Sequence, residues 1–106
     1  MSVPERDIRF TTAARRDLRH MALYTRRAWG SQRHASYRAA IDTAFETLRE
    51  FPDLGRSRDD IFSGCRSFPV EHHVIYYDQP DDATIVVRRI LHQRQDAGAA
   101  MIDPRS

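Results

Sequence analysis

The run Thr84-Ile85-Val86-Val87-Arg88-Arg89-Ile90-Leu91 most narrows the folds open to this chain. β-Branched side chains are stiff about χ1 and pack well on a pleated surface, so the run reads as a strand with a buried face. It carries two arginines and leads straight into His92-Gln93-Arg94-Gln95-Asp96, which sets a polar cluster at the strand exit. A strand needs neighbours. Residues 64–70 supply one, and Pro69, having no N–H to give to a ladder, belongs there at a strand end, edge or bulge. Residues 73–78 supply another through Val74, Ile75, Tyr76 and Tyr77, and Gln79-Pro80-Asp81-Asp82 is turn chemistry. The short connections imply an antiparallel meander. Upstream, Asp7-Ile8-Arg9-Phe10-Thr11 alternates polar and apolar and reads as a short strand joining the same sheet.

Between that first strand and the meander the period changes from two to three-and-four. Ala14, Leu18, Met21, Ala22, Thr25, Ala28 and Trp29 share one face of a helix over 12–29, capped by Thr11 or Thr12. Arg15, Arg16, Arg19, Arg26 and Arg27 fall largely off that face. Gly30 is placed to stop the helix, and Ser31 to cap a second over 32–51. In the second, Tyr37, Ile41, Ala44, Leu48 and Phe51 form the apolar stripe, and Pro52 and Gly55 end it. Only Gly30 and Ser31 separate the helices, so they form an antiparallel hairpin. Trp29, Tyr24 and Tyr37 are read as packing within it. The fold class is α+β, in the order β-α-α-β-β-β, with a helical hairpin packed on a small antiparallel sheet. Arg56-Ser57-Arg58-Asp59-Asp60 reads as a charged loop.

A chain of 106 residues fits one domain, spanning 1–106 with its core over about 7–97. The tail, 98–106, is either a short helical turn or loose. No apolar stretch is long enough to cross a membrane, and the charged N-terminus lacks an apolar signal core, so a cytoplasmic protein is expected. All 17 basic residues are arginine, which excludes lysine nucleophiles and lysine bases. Codon usage in a GC-rich genome would give the same bias. The net charge of +2 is uneven: residues 1–50 hold ten arginines against six acids, and residues 51–106 hold seven against nine. The basic half suits an acidic partner.

Candidate chemistry is sparse. His72 and His73 are adjacent, so on a strand they would point to opposite faces, and no zinc-type spacing occurs. No metal and no cofactor is expected. Gly-rich phosphate loops and nucleophile elbows are absent. The single Cys65 could pair with His92 as nucleophile and base, but a lone cysteine beside an apolar strand more often packs. His92 could act as an acid or base near neutral pH, with Arg66, Arg89 and Arg94 stabilising a phosphorane-like transition state of RNA cleavage. Against that, the ordinary reading has His92 bonding the backbone at the strand end, and no second acid or base stands beside it.

Several words of the sequence, in order, resemble the RelE/ParE superfamily of type II toxin–antitoxin toxins, on its ParE side. They are Ala14-Arg15-Arg16-Asp17-Leu18 with Tyr24 and Trp29-Gly30, then Phe51-Pro52-Asp53-Leu54-Gly55-Arg56, Gly64-Cys65-Arg66-Ser67 and His73-Val74-Ile75-Tyr76-Tyr77. The last is Val87-Arg88-Arg89-Ile90-Leu91-His92-Gln93-Arg94-Gln95-Asp96. The resemblance implies a toxin that inhibits DNA gyrase by binding, with no bond chemistry of its own, and that a cognate antitoxin neutralises. RelE-like relatives instead cut messenger RNA on the ribosome. Here His73 stands where such nucleases keep an Arg and Gln93 where they keep a Tyr, so the nuclease set (His92, Arg66, Arg89) is incomplete. The antitoxin is expected to be acidic and to fold on Arg15, Arg19, Arg26 and Arg88, with His92 and Arg94 left to meet the target. DNA contact is expected only through the antitoxin. A ribosome-dependent endonuclease and a non-toxic antitoxin-binding module are the alternatives.

Overall fold

The computed structural model describes residues 6–101. The elements are β1 (Asp7–Phe10), α1 (Thr12–Glu50), β2 (Arg56–Ser57), β3 (Arg66–Val70), β4 (His73–Asp81), β5 (Thr84–His92) and α2 (Ala97–Ala100). One sheet runs in the order β1-β5-β4-β3-β2. The meander β3-β4-β5 is antiparallel, as the short turns require. Two edges correct the all-antiparallel expectation. β1 lies parallel to β5, Asp7 opposite Thr84 and Phe10 opposite Val87, which the long helical crossover permits. β2, inside the expected charged loop, pairs antiparallel with β3, making the sheet five-stranded and mixed. The tail forms α2 as far as Ala100, and the expectations for 1–5 and 102–106 lie outside the described residues.

The helical hairpin follows from Gly30. The run Thr12–Glu50 is interrupted there by φ 82° and ψ 173°, a backbone setting that only glycine enters without strain. Thr11 is the cap: its Oγ1 accepts from the Ala14 N–H at 3.0 Å and donates to the Arg88 carbonyl at 2.7 Å. Ala14 and Met21 from the first arm, and Tyr37, Ile41, Ala44, Phe45 and Leu48 from the second, pack on Ile75, Tyr77, Ile85, Val87 and Ile90 of the sheet. Each large aliphatic side chain so buried contributes about 1.5–3 kcal/mol. Two stripe residues depart from expectation, and so does Tyr24, read as packing. Ala28 is exposed at the end of the first arm, Phe51 is 56% exposed just past the helix end, and Tyr24 is 59% exposed.

The sheet alternates as a pleat must. Ile75 and Tyr77 face the hairpin, whereas Val74 and Tyr76 face outward, where Cys65, Leu91 and Ala97 close a second small core with Ile61 and Phe62. Pro69 pairs with Val74 beyond the last residue that β2 covers, so its missing donor falls on the open edge of β3.

Tyr77 ties the end of the hairpin to the sheet. Fully buried, its hydroxyl donates to the Pro52 carbonyl at 2.8 Å and accepts from the Gly55 N–H at 2.9 Å. A Cβ on Gly55 would sit 2.7 Å from Cε1 and 2.9 Å from Cζ of that ring. Gly55→Ala is therefore expected to cost about 2 kcal/mol in urea denaturation, the usual penalty of overpacking a ring that cannot retreat. An unchanged midpoint would show that the loop gives way instead.

Candidate functional site

β1 covers β5 only as far as Val87, and beyond it the edge of β5 needs other partners. Thr11 takes the Arg88 carbonyl, and Asp17, one turn into the first arm, takes the Ile90 N–H at 2.9 Å. The same carboxylate, 9% exposed, accepts two bonds from Arg89, at 2.7 Å from Nε and 3.0 Å from Nη2. Arg89 Nη1 donates onward to the Ala100 carbonyl at 3.0 Å. Arg89 thus clasps the first helical arm, β5 and α2, a different employment from the transition-state role that the sequence suggests. Asp17 was not singled out in the sequence. Its signal was there: an acid inside the apolar series Ala14, Leu18, Met21.

The nuclease set is not brought together. Arg66 stands opposite Tyr77 and donates to the Gly55 carbonyl at 2.7 Å, with Asp53 3.7 Å away. His92 stands opposite His73, four positions along β4, or about 13 Å at the usual rise of a strand. Arg89 lies opposite Tyr76 between them and is held by Asp17. Cys65 is no nucleophile either: burial pushes its thiol up to about 11, so it stays protonated at neutral pH.

What does gather at the exit of β5 is a chain of rings. Tyr37 lies edge-on to His73, and His73 edge-on to His92, with centroids 5.6 and 5.5 Å apart. The Tyr37 hydroxyl accepts from the His72 N–H at 3.2 Å, which leaves its proton for Nδ1 of His73. Nδ1 of His92 accepts from the Arg94 N–H at 3.2 Å. Both imidazoles therefore carry their proton on Nε2 when neutral. Burial first, then the neighbouring His92 and His72, lowers His73 to about 4. A cleft of about 290 Å³ opens beside these rings, walled by Tyr24, Trp29, His73, His92, Gln93 and Arg94.

The expected partner-binding arginines divide. Arg15, Arg19 and Arg26 are exposed on the first arm, and their spacing of four and then seven residues keeps them on one side of it. None of the three side chains forms an ion pair or hydrogen bond among the described residues. Leu23, 50% exposed, lies beside them. Arg88 is different: Asp78 accepts from its Nε at 2.7 Å and from its Nη2 at 3.2 Å.

A family model described as the ParE toxin of the type II toxin–antitoxin system parDE matches residues 8–97. The chain belongs to this ParE toxin family. Toxin ParE1 of Caulobacter vibrioides is 28% identical over 91 residues, covering 86% of this chain and 93% of the relative. Toxin ParE of Escherichia coli is 28% identical over 93 residues, covering 88% and 90%. Among solved structures, the chromosomal ParDE system from P. aeruginosa contains a chain that superposes with a TM-score of 0.69, covering 83% of this chain and 96% of its own. At 17% identity that likeness concerns the fold. A chain of the toxin–antitoxin complex RelBE2 from Mycobacterium tuberculosis superposes with a TM-score of 0.61 at 28% identity, covering 85% and 99%.

Within this ParE-family chain the matched segment ends at Ala97, the first residue of α2, and so takes in the Asp17–Arg89 clasp and the ring cluster. Among the described residues no group of three or more His, Cys, Asp or Glu is placed to hold a metal ion. No helix among them is long and apolar enough to cross a membrane.

Proposed function

We propose that this ParE-family toxin acts in the cytoplasm by binding and inhibiting DNA gyrase, and that an acidic antitoxin holds it inactive. The observation that carries the reading is the dispersal of His92, Arg66 and Arg89 in a chain of this family. Arg66 and His92 stand opposite β4 residues four positions apart, Tyr77 and His73, and Arg89 is spent on a buried carboxylate. A protein without an assembled reactive centre works through its surface. His92 and Arg94, at the exit of β5, are the residues proposed to meet the target. The Arg15, Arg19 and Arg26 stripe with Leu23 beside it suits an acidic amphipathic segment that folds on contact, the charges speeding encounter and the apolar side chain anchoring it. Arg88 joins that surface only by sharing its bond to Asp78.

The test is purified gyrase. Adding the toxin is expected to abolish supercoiling in proportion to its concentration, and expression alone to arrest growth with induction of the DNA-damage response. The Arg15→Ala/Arg19→Ala/Arg26→Ala variant should still inhibit gyrase but associate with the antitoxin about tenfold more slowly at low salt. Growth arrest with gyrase untouched would overturn the target, and cleavage of messenger RNA on translating ribosomes would replace it.

A further inference from the structure

The cleft at the exit of β5 has a chemistry that inhibitor binding does not account for. One wall is aromatic. Tyr24 is 59% exposed although a helix in this position could bury it, and it meets Trp29 edge-on at 6.0 Å. Trp29 is only partly buried; Arg33 lies 4.8 Å over its ring, and His72 and Tyr37 flank it. The facing wall is made of donors. The Arg94 N–H holds His92 Nδ1, so Nε2–H is the free end of that ring. Tyr37 holds Nδ1 of His73, whose ring also lines the cleft. The Gln93 amide and the Arg94 guanidinium complete the set. Among the described residues no carboxylate lines the cleft.

Aromatic rings and N–H donors lining one cleft suit a ligand that is planar at one end and anionic at the other. We propose that this cleft binds a nucleoside 5′-monophosphate unit, its base against Tyr24 and Trp29 and its phosphate on His92, Gln93 and Arg94. Stacking on exposed aromatics is tolerant of base identity, and a guanidinium matches phosphate by paired donors. A volume of about 290 Å³ lies at the lower end of the range for small-ligand sites and suits one nucleotide. The unit is either a free nucleotide or the phosphorylated end of a strand; both present the same groups.

Trp29 is the single tryptophan and reports on its own site. Adenosine 5′-monophosphate, titrated into the free toxin, is expected to change Trp29 fluorescence saturably, with a dissociation constant on the order of 0.1–1 mM, and to move the ring signals of His73 and His92 in NMR. Tyr24→Ala and Arg94→Ala should each weaken binding about tenfold, whereas Arg56→Ala, on β2 at the far edge of the sheet, should not. Both side chains are exposed, so the fold survives their loss. A 5′-phosphorylated oligonucleotide that binds as tightly as the mononucleotide identifies a strand end as the source; one that does not identifies the free nucleotide. Absence of a saturable response, affinity indifferent to both substitutions, or inorganic phosphate binding as tightly as the nucleotide would each overturn the proposal. The gyrase assay is independent of this titration, so failure of one leaves the other standing.

Discussion

Asp17→Ala is expected to remove about 3–5 kcal/mol of stability, the largest loss from any single change in this protein. Burying a carboxylate and a guanidinium is costly, and the pair persists because its geometry repays that cost: two near-parallel bonds from Arg89 and a third from the Ile90 N–H converge on one side chain. Truncating Asp17 leaves a largely buried cation and an unsatisfied backbone donor at the point where β1 stops covering β5. Asp17→Asn should cost less, because its amide oxygen still accepts from Ile90. Replacing both partners, as in Asp17→Ala/Arg89→Met, should cost less than the two single changes together, since the two residues share one interaction that either change already removes. Urea denaturation of the four proteins closes the cycle. If Asp17→Ala lost less than about 1 kcal/mol, the clasp would be a surface pair in energetic terms and its place between three elements incidental.

The clasp also marks the boundary of what local sequence can tell. The hairpin was legible because its signals are local: an apolar stripe on each arm, a threonine cap and a glycine at the turn, and Gly30 adopts the left-handed φ that the turn requires. The meander was legible from short apolar runs joined by turn residues, and Pro69 announced an open edge. Asp17 and Arg89, in contrast, stand 72 positions apart, and nothing near either one distinguishes a paired arginine from a free one. Arg89 was therefore drawn into a catalytic set, and Asp17 passed unnoticed. β2 has only two paired residues, too few for any period to appear, and the direction of β1 depends on where the crossover delivers the chain. Tyr24, an aromatic close to the apolar stripe of the first arm, reads as packing within the hairpin. Only the three-dimensional arrangement shows it facing the cleft. Family words gave the identity of the fold, but they could not say which polar residues were already engaged.

Acid should loosen the protein through His73 as the pH falls from about 6.5 toward about 4. His73 is 8% exposed, bonded to Tyr37 and close to His92 and His72, and these surroundings hold it at about 4 against 6.5 for a free histidine. Between those values the unfolded chain takes up a proton that the folded chain refuses. Stability therefore rises with pH across this window, and it is lost as pH falls from about 6.5 toward about 4. At about 1.4 kcal/mol for each pH unit, the loss comes to about 3 kcal/mol. The direction is opposite to that of a histidine engaged with a carboxylate, because burial disfavours the charged ring and the neighbouring His92 and His72 add to that, outweighing Asp17. Asp59 and Asp60 lie below the ordinary carboxylate range, Asp59 through the Gly64 N–H and Asp60 through Arg58. Their support begins to fade only below about pH 5, so they add to the loss at the acid end of this window. Urea midpoints taken from pH 7.5 down to pH 4 should fall in the wild type, and the His73→Gln variant, whatever its starting stability, should show a distinctly flatter slope. Equal slopes for the two proteins would assign the acid sensitivity to other groups and leave the buried imidazole without a part in it.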